Sequence, residues 1–291
     1  MSSHSFPHQP APSPLTDVRL FIIEGVITVV IAAIAFFILP NFPRTTMWLN
    51  EEERQLAVWR LQEDIGADDW TSSEEQTFWH GFILAFKDIK VWILMIMLLG
   101  IVSSASVTNF FPSVVKTLGY NNLDTLLLTA PPYVLAMICA FANAWHADKT
   151  GERFLHVTLP MIVGVAAFIL AAATTATAPR YVAMMLMVPG IYSGYVVVLA
   201  WISNSIPRPA SKRAAALAAI NAVSNASSIY ASYMYSGAPR YIIAFSVNCC
   251  TLVLAMVMAA VLRFLLVRLN KKLDRGEHVE GAIGRGFRFL V

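Results

Sequence analysis

Charge is what this chain has least of. Only 13% of its 291 residues are Asp, Glu, Lys or Arg, about half the ~25% of ordinary soluble domains. With 57% hydrophobic residues and a mean hydropathy of +0.61, it lacks the polar surface that a soluble all-helical fold needs. Cysteine is also scarce. Cys139, Cys249 and Cys250 all fall inside apolar runs, which excludes a disulfide framework and a cysteine metal site and leaves them as small buried hydrophobes. There is no G-x-x-x-x-G-K-[ST] loop, so an ATP-driven pump has no support, and no H-E-x-x-H metal motif. The serine-rich runs have no His or Asp partner within the apolar segments, which argues against an intramembrane serine hydrolase. Nothing calls for a cofactor or a metal. Residues 1–16 are rich in Ser, Pro and His, with no basic region ahead of the first apolar run. They read as a disordered leader rather than a secretory signal.

What remains is oil in long pieces. A bilayer core of about 30 Å takes roughly 20 apolar residues as helix. Seven stretches qualify, at about 20–39, 91–113, 125–145, 157–178, 181–206, 214–236 and 241–262. Their apolar character is continuous rather than alternating, which excludes a membrane β-barrel. The expected fold class is therefore all-α, a polytopic membrane protein with about seven transmembrane helices. Seventeen of the 21 Lys and Arg residues lie in loop 41–90, in the third and fifth connections, and after residue 262. The positive-inside rule places these segments in the cytoplasm, so the N-terminus faces out and the C-terminus in. The net charge of +3 is then a matter of topology, and gives no reason to expect nucleic acid.

Loop 40–90 holds ten acids and five bases. Its acidity does not oppose a cytoplasmic placement, because the rule counts Lys and Arg. Asn50 followed by Glu53 reads as a capping box, with Leu56, Ala57, Trp59 and Leu61 supplying an apolar side. Ser72 with Glu75 reads as a second helix start, ahead of Phe78, Phe82, Phe86 and Ile89 at helical spacing. That second face suits either a helix in the membrane interface, with Lys87 and Lys90 at headgroup level, or a linker helix packed on protein.

The third connection reads WHADKTGER, residues 145–153. Asp148 can pair with a base or cap the next helix, Gly151 permits a tight turn, and Arg153 can reach an acid or a helix end. The plain alternative is a charged turn that only sets topology. The six runs after residue 90 contain no Asp, Glu, Lys, Arg or His, so no proton carrier stands at the midplane; Glu24 in the first run is a weak candidate. Neutral polarity is present instead. Asn221, Ser224, Asn225, Ser228 and Ser232 recur at helical spacing. Such a stripe either lines a water-filled cavity or hydrogen-bonds a neighbouring helix. Asn109, Tyr192, Tyr195, Trp201 and Asn204 carry weaker versions of the same signal. Pro189, Gly190 and Gly194 allow bending, but small-residue packing is the simpler reading of the two glycines.

FIIEGVITVVIAAIAFFILPNFPRTTMWLNEEERQLAVWRL resembles the sixth helix and central loop of fungal allantoate-permease-type transporters, anion:cation symporters of the major facilitator superfamily. FFPSVVKTLGY, LLLTAPPYV, WHADKTGER, YVVVLAWISNSIPRPASKRAAALAAINAVSN and NKKLDRGE resemble that family's C-terminal half. The resemblance runs in order from Leu20 to Glu277. It implies a fold of two six-helix halves with the substrate held between them near midplane. In that frame 20–39 is equivalent to helix six, 40–90 is the central cytoplasmic loop, 91–269 the C-terminal six-helix bundle and 270–291 a cytoplasmic tail. The turn at 145–153 is similar to the superfamily's gating signature, matched by Asp148, Lys149, Gly151 and Arg153, with Ala144 and Glu152 departing from it. The resemblance further implies a plasma-membrane symporter rather than an enzyme. Its substrate would be a small organic anion (allantoate, nicotinate or pantothenate-like), moved with H+. Asn109, Tyr195, Asn221 and Asn225 are the expected cavity wall. Helices one to five have no counterpart, so a truncated chain is expected, one that lacks its N-terminal half or pairs with a full-length relative. A non-transporting fragment is the alternative. A seven-helix receptor is disfavoured by the long first inner loop and by the absence of an outer cysteine pair.

Overall fold

Continuous apolar sequence without alternation gives helix after helix, because in hydrocarbon each backbone polar group must be satisfied within its own segment. The computed structural model describes residues 14–39, 46, 48–65, 78–119, 121–237, 240–279 and 287–291, and among these there is no strand. The leader up to residue 13 and the helix start expected at Ser72 lie outside the described residues. The chain forms two compact units, Met1–Asp64 and Ile65–Val291.

The first unit holds α1 (Pro14–Ile38) and most of α2 (Glu51–Ile65). None of the 18 residues from Phe21 to Ile38 is buried, so α1 presents apolar side chains around its whole circumference. A helix apolar all round belongs in hydrocarbon or in the core of a larger assembly. The expected cap at the start of α2 is present. The Asn50 amide donates to Glu53 Oε2 at 3.0 Å, and the Arg54 amide donates to the Asn50 carbonyl at 2.9 Å. Arg54 ties the approach down by donating to the Thr46 carbonyl at 3.0 Å. Leu56 and Trp59 remain exposed, so the apolar side of α2 is uncovered.

The second unit holds α3 (Phe78–Lys87), α4 (Ile89–Ala105), a 3-10 segment (Ser106–Phe110), α5 (Phe111–Lys116), α6 (Asn122–Thr150), α7 (Phe154–Ala173), α8 (Thr177–Ser205), α9 (Ala210–Asn225), α10 (Ser227–Met234) and α11 (Ile242–Asp274). Six stretches of the described chain are long and apolar enough to cross a bilayer: 21–38, 89–116, 123–150, 154–173, 177–205 and 242–274. They answer to six of the seven expected. The seventh, 214–236, is covered by α9 and α10, which meet at Ala226; that residue keeps right-handed helical backbone, φ −60° and ψ −17°, and its amide donates to the Ala222 and Val223 carbonyls at 3.3 and 3.2 Å. The last span is longer than expected, since α11 continues through Arg263 and Arg268 to Asp274.

Packing in the second unit is close. An ideal Cβ on Gly190 of α8 would lie 2.7 Å from the Gly164 amide nitrogen of α7, so backbone meets backbone there. Gly194 repeats the approach one turn on, where a Cβ would stand 3.0 Å from the Val157 carbonyl. Both glycines therefore serve helix packing. A polar seam joins α4 to α11. Ser104 Oγ lies 2.9 Å from both the Asn248 carbonyl and Thr251 Oγ1, and Asn248 Nδ2 donates to Tyr235 Oη at 2.8 Å. α3 packs on protein along one side, with Gly81 against the Ser211 backbone and Phe82 and Phe86 half-buried, while Trp79, Ile83 and Ile89 stay exposed. The face expected from Phe78 to Ile89 is thus divided. Ile89 belongs to the next helix, whose start is fixed by Asp88 accepting from the Lys90 amide at 2.9 Å.

Candidate functional site: the polar face and the gating turn

The stripe on α9 and α10 is where the bundle is least like a lipid surface. Asn221, Asn225, Ser228 and Ser232 are exposed, and Ser224 alone is buried. At 100° per residue Ser224 stands about 60° to one side of Asn221, which turns it into the packed core. The two asparagines satisfy part of their polarity locally. Asn221 Nδ2 donates to the Leu217 carbonyl at 3.0 Å and Asn225 Nδ2 to the Asn221 carbonyl at 2.9 Å.

Asn109 and Tyr195 are joined to each other through neighbours. The Tyr195 ring meets the Tyr192 ring edge-on at 6.1 Å, and Tyr192 Oη lies 3.4 Å from Thr108 Oγ1, next in sequence to exposed Asn109. On the other side of Asn109, Phe110 stacks on Tyr235 with ring centroids 4.2 Å apart. The 3-10 segment therefore bridges α8 and the end of α10. Tyr230 of α10 donates to Ser103 Oγ of α4 at 2.9 Å. Thr108 and Tyr230 were not singled out in the sequence. A lone Thr or Tyr in an apolar run carries no periodic signal, and only the packing shows its partner.

The turn 145–153 is built as its residue types suggest. α6 ends at Gly151, whose φ of 68° lies in the left-handed region and whose amide donates to the Ala147 carbonyl at 3.0 Å. That reversal brings Arg153 Nη2 to 2.7 Å from Asp148 Oδ1, with Arg153 buried and Asp148 exposed. Lys149 takes no part in this pair; its ammonium stands 5.2 Å over the Trp145 ring. Glu152, which departs from the family signature, caps α7 by accepting from the Leu155 amide at 2.9 Å.

The structure adds an element to this end of the bundle. The last residues, 287–291, fold back under it. The Arg153 amide donates to the Val291 carbonyl at 2.8 Å, and Trp201 Nε1 to the Leu290 carbonyl at 2.9 Å. Asn270 clasps the Phe289 backbone at both ends, each hydrogen bond 2.9 Å long. Lys90 lies 4.8 Å over the buried Phe289 ring, and Arg288 pairs with Asp274. Beside it, buried Lys212 of α9 pairs with Asp88 at 2.9 Å and Lys90 with the same carboxylate at 3.6 Å. The starts of α4, α7 and α9 and the ends of α6, α8 and α11 thus meet at one end, the basic end of the chain. Residues 287–291 of the expected tail thus form a strap across this end of the bundle.

Six stretches long and apolar enough to span fit a multi-pass membrane protein. The chain belongs to the Major Facilitator Superfamily, whose sequence model matches residues 18–232. An uncharacterised transporter of Schizosaccharomyces pombe is 30% identical over 281 residues, covering 91% of this chain and 54% of the relative. The MFS-type transporter cnsO of Penicillium expansum is 30% identical, covering 87% of this chain and 51% of the relative. The MFS transporter prlL of a fungal species is 32% identical over 199 residues, 66% of this chain and 39% of the relative. The chain spans about half the length, or less, of these relatives. No solved structure matches it. The family points to transport rather than catalysis.

Proposed function

We propose that residues 20–291 are the sixth helix and C-terminal half of a secondary carrier of the allantoate-permease type, which moves a small organic anion with H+ by alternating access. The observation that carries this reading is the exposed stripe Asn221, Asn225, Ser228 and Ser232. Four polar side chains in line on a segment expected from its sequence to span would be out of place against lipid tails and suit a water-filled cavity or a facing helix. Asn109 and Tyr195 extend the same wall. The Asp148–Arg153 turn and the strap lie at the end that closes when the carrier faces outward. The positive-inside rule supports a cytoplasmic side for that end, and the plasma membrane is the expected location. Carriers of this fold need two halves, so a first half must be supplied by a partner polypeptide or by further chain.

The test is uptake of labelled allantoate, nicotinate or pantothenate in a fungal host deleted for its own carriers. This chain is expressed alone or with the first five helices of a full-length relative. Uptake is expected only with the added half. It should collapse when the proton gradient is dissipated, and Asn221→Leu should reduce it at least tenfold. Uptake by the chain alone removes the need for a second half. No uptake from both halves present at the membrane overturns the carrier reading. A second reading, a non-transporting partner of a full-length relative, is favoured by the half-length match. In that case the chain alters the uptake of the relative and has none of its own.

A further inference from the structure

α3 joins the spanning segment after it through a single residue, Asp88, and packs on the start of α9. Its side chains divide around the helix into three sectors. Gly81 and Ala85 face the bundle. Both are buried, and a Cβ on Gly81 would stand 2.6 Å from the Ser211 carbonyl carbon. On another side, Trp79, Ile83 and Phe86 fall within about 60° of one another at 3.6 residues per turn. Trp79 is 67% exposed and Ile83 51%. His80 and Lys87, both exposed, form the third sector beyond Ile83. α3 itself carries no acid. Asp88, just after it, is held by Lys212 at 2.9 Å and Lys90 at 3.6 Å.

The apolar sector continues onto the spanning segment. Trp79 meets Phe82 edge-on at 6.1 Å, Phe82 lies 4.5 Å from Phe86, and Phe86 meets Trp92 of α4 edge-on at 5.5 Å. Trp92 Nε1 donates to the Phe86 carbonyl at 2.9 Å, which ties the two helices at their bend. From Trp92 the exposed apolar surface runs along α4 through Ile89 and Ile96, three residues before it and four after. Ile89 opens a segment long and apolar enough to span, so the file of rings stands where that segment enters the bilayer. Tryptophan is enriched at that boundary, because its ring is apolar and its N–H is not.

We propose that α3 docks on the lipid surface at the basic end of the chain. Trp79, Ile83 and Phe86 sit among the lipids just below the headgroups, and His80 and Lys87 lie at headgroup level. A short helix apolar on one side and basic on the next suits this placement, and the Lys87 ammonium complements lipid phosphate. The helix is thus packed on protein and on lipid at once. Gly81 holds it to α9, so the start of α9 is fixed to the membrane surface. A helix seated on protein alone would cover Trp79 and Ile83, and the bundle leaves both bare.

The experiment is spin-label accessibility of the full chain in nanodiscs of phosphatidylcholine with a minority of phosphatidylserine, with Cys139, Cys249 and Cys250 replaced by serine. Labels are attached to Trp79→Cys, His80→Cys, Ile83→Cys and Lys87→Cys, all at exposed positions outside the packed core. Oxygen concentrates in lipid and a nickel chelate stays in water. The ratio of oxygen to nickel collisions should be at least about threefold higher at Trp79 and Ile83 than at His80 and Lys87, because the apolar face of such a helix lies below the headgroups. The difference should persist when the first five helices of a full-length relative are co-expressed. Equal ratios at the four positions overturn the proposal. Shielding of Trp79 and Ile83 from both reagents, with or without the added helices, marks a protein partner and overturns it too, as does spin–spin broadening at Ile83, which marks a second copy. The readout needs no transport, so it stands or falls apart from the carrier reading.

Discussion

At the residue scale, the decisive positions are those where a side chain meets something that cannot move aside. Gly151 is one, because its φ of 68° favours a residue without Cβ. Gly151→Val should destabilise the chain by about 1–2 kcal/mol, seen as a lower thermal midpoint in detergent, whereas Gly151→Asn should cost far less. Equal losses in the two variants would show that the turn is not held there. Gly190 is the other. A methyl at that position meets the Gly164 backbone rather than a flexible side chain, so the helices must separate. Gly190→Ala should cost about 1–3 kcal/mol by overpacking, and Gly164→Ala should cost less, because its methyl would meet the end of the flexible Leu252 side chain at 2.9 Å.

Among the elements, the strap 287–291 has the most exposed consequences. It caps Trp201 and covers Lys90 with Phe289. Deleting residues 287–291 should red-shift the Trp201 emission, isolated by subtracting a Trp201→Phe background because the chain has seven tryptophans. An unshifted spectrum would mean that the strap is not seated in solution. Asn270→Leu should loosen the strap in the same assay, since Asn270 makes two of its backbone hydrogen bonds. The junction at Ala226 is the second element-scale feature. There α9 passes into α10 with helical backbone, and one turn on Tyr230 donates to Ser103 of α4.

For the whole molecule, the issue is which end faces which side. In a background with Cys139, Cys249 and Cys250 replaced by serine, Glu52→Cys should react with an impermeant maleimide only after cells are permeabilised. Leu123→Cys, exposed at the start of α6, should react in intact cells. The reverse pattern would invert the topology proposed from the positive residues. The bare circumference of α1 also belongs to this scale, because no residue from Phe21 to Ile38 is buried and a helix apolar all round suits hydrocarbon.

The sequence by itself determined the helical class, most of the spans and the charged turn at 145–153. Long apolar runs admit only one secondary structure in hydrocarbon, and a Gly between Asp148 and Arg153 admits few turns. It also determined the stripe, because Asn221, Asn225, Ser228 and Ser232 repeat at helical period. The tertiary structure alone decided what depends on distant residues meeting. Ser224 falls to the packed side of the same helix. The tail becomes a strap because Asn270, Trp201 and Arg153 all present hydrogen-bond partners to it. His146 and His156 stand ten residues apart, just outside the apolar runs, with no spacing signal that joins them. Only the reversal at Gly151 brings their rings together, and no local pattern encodes a hydrogen bond between two different helices.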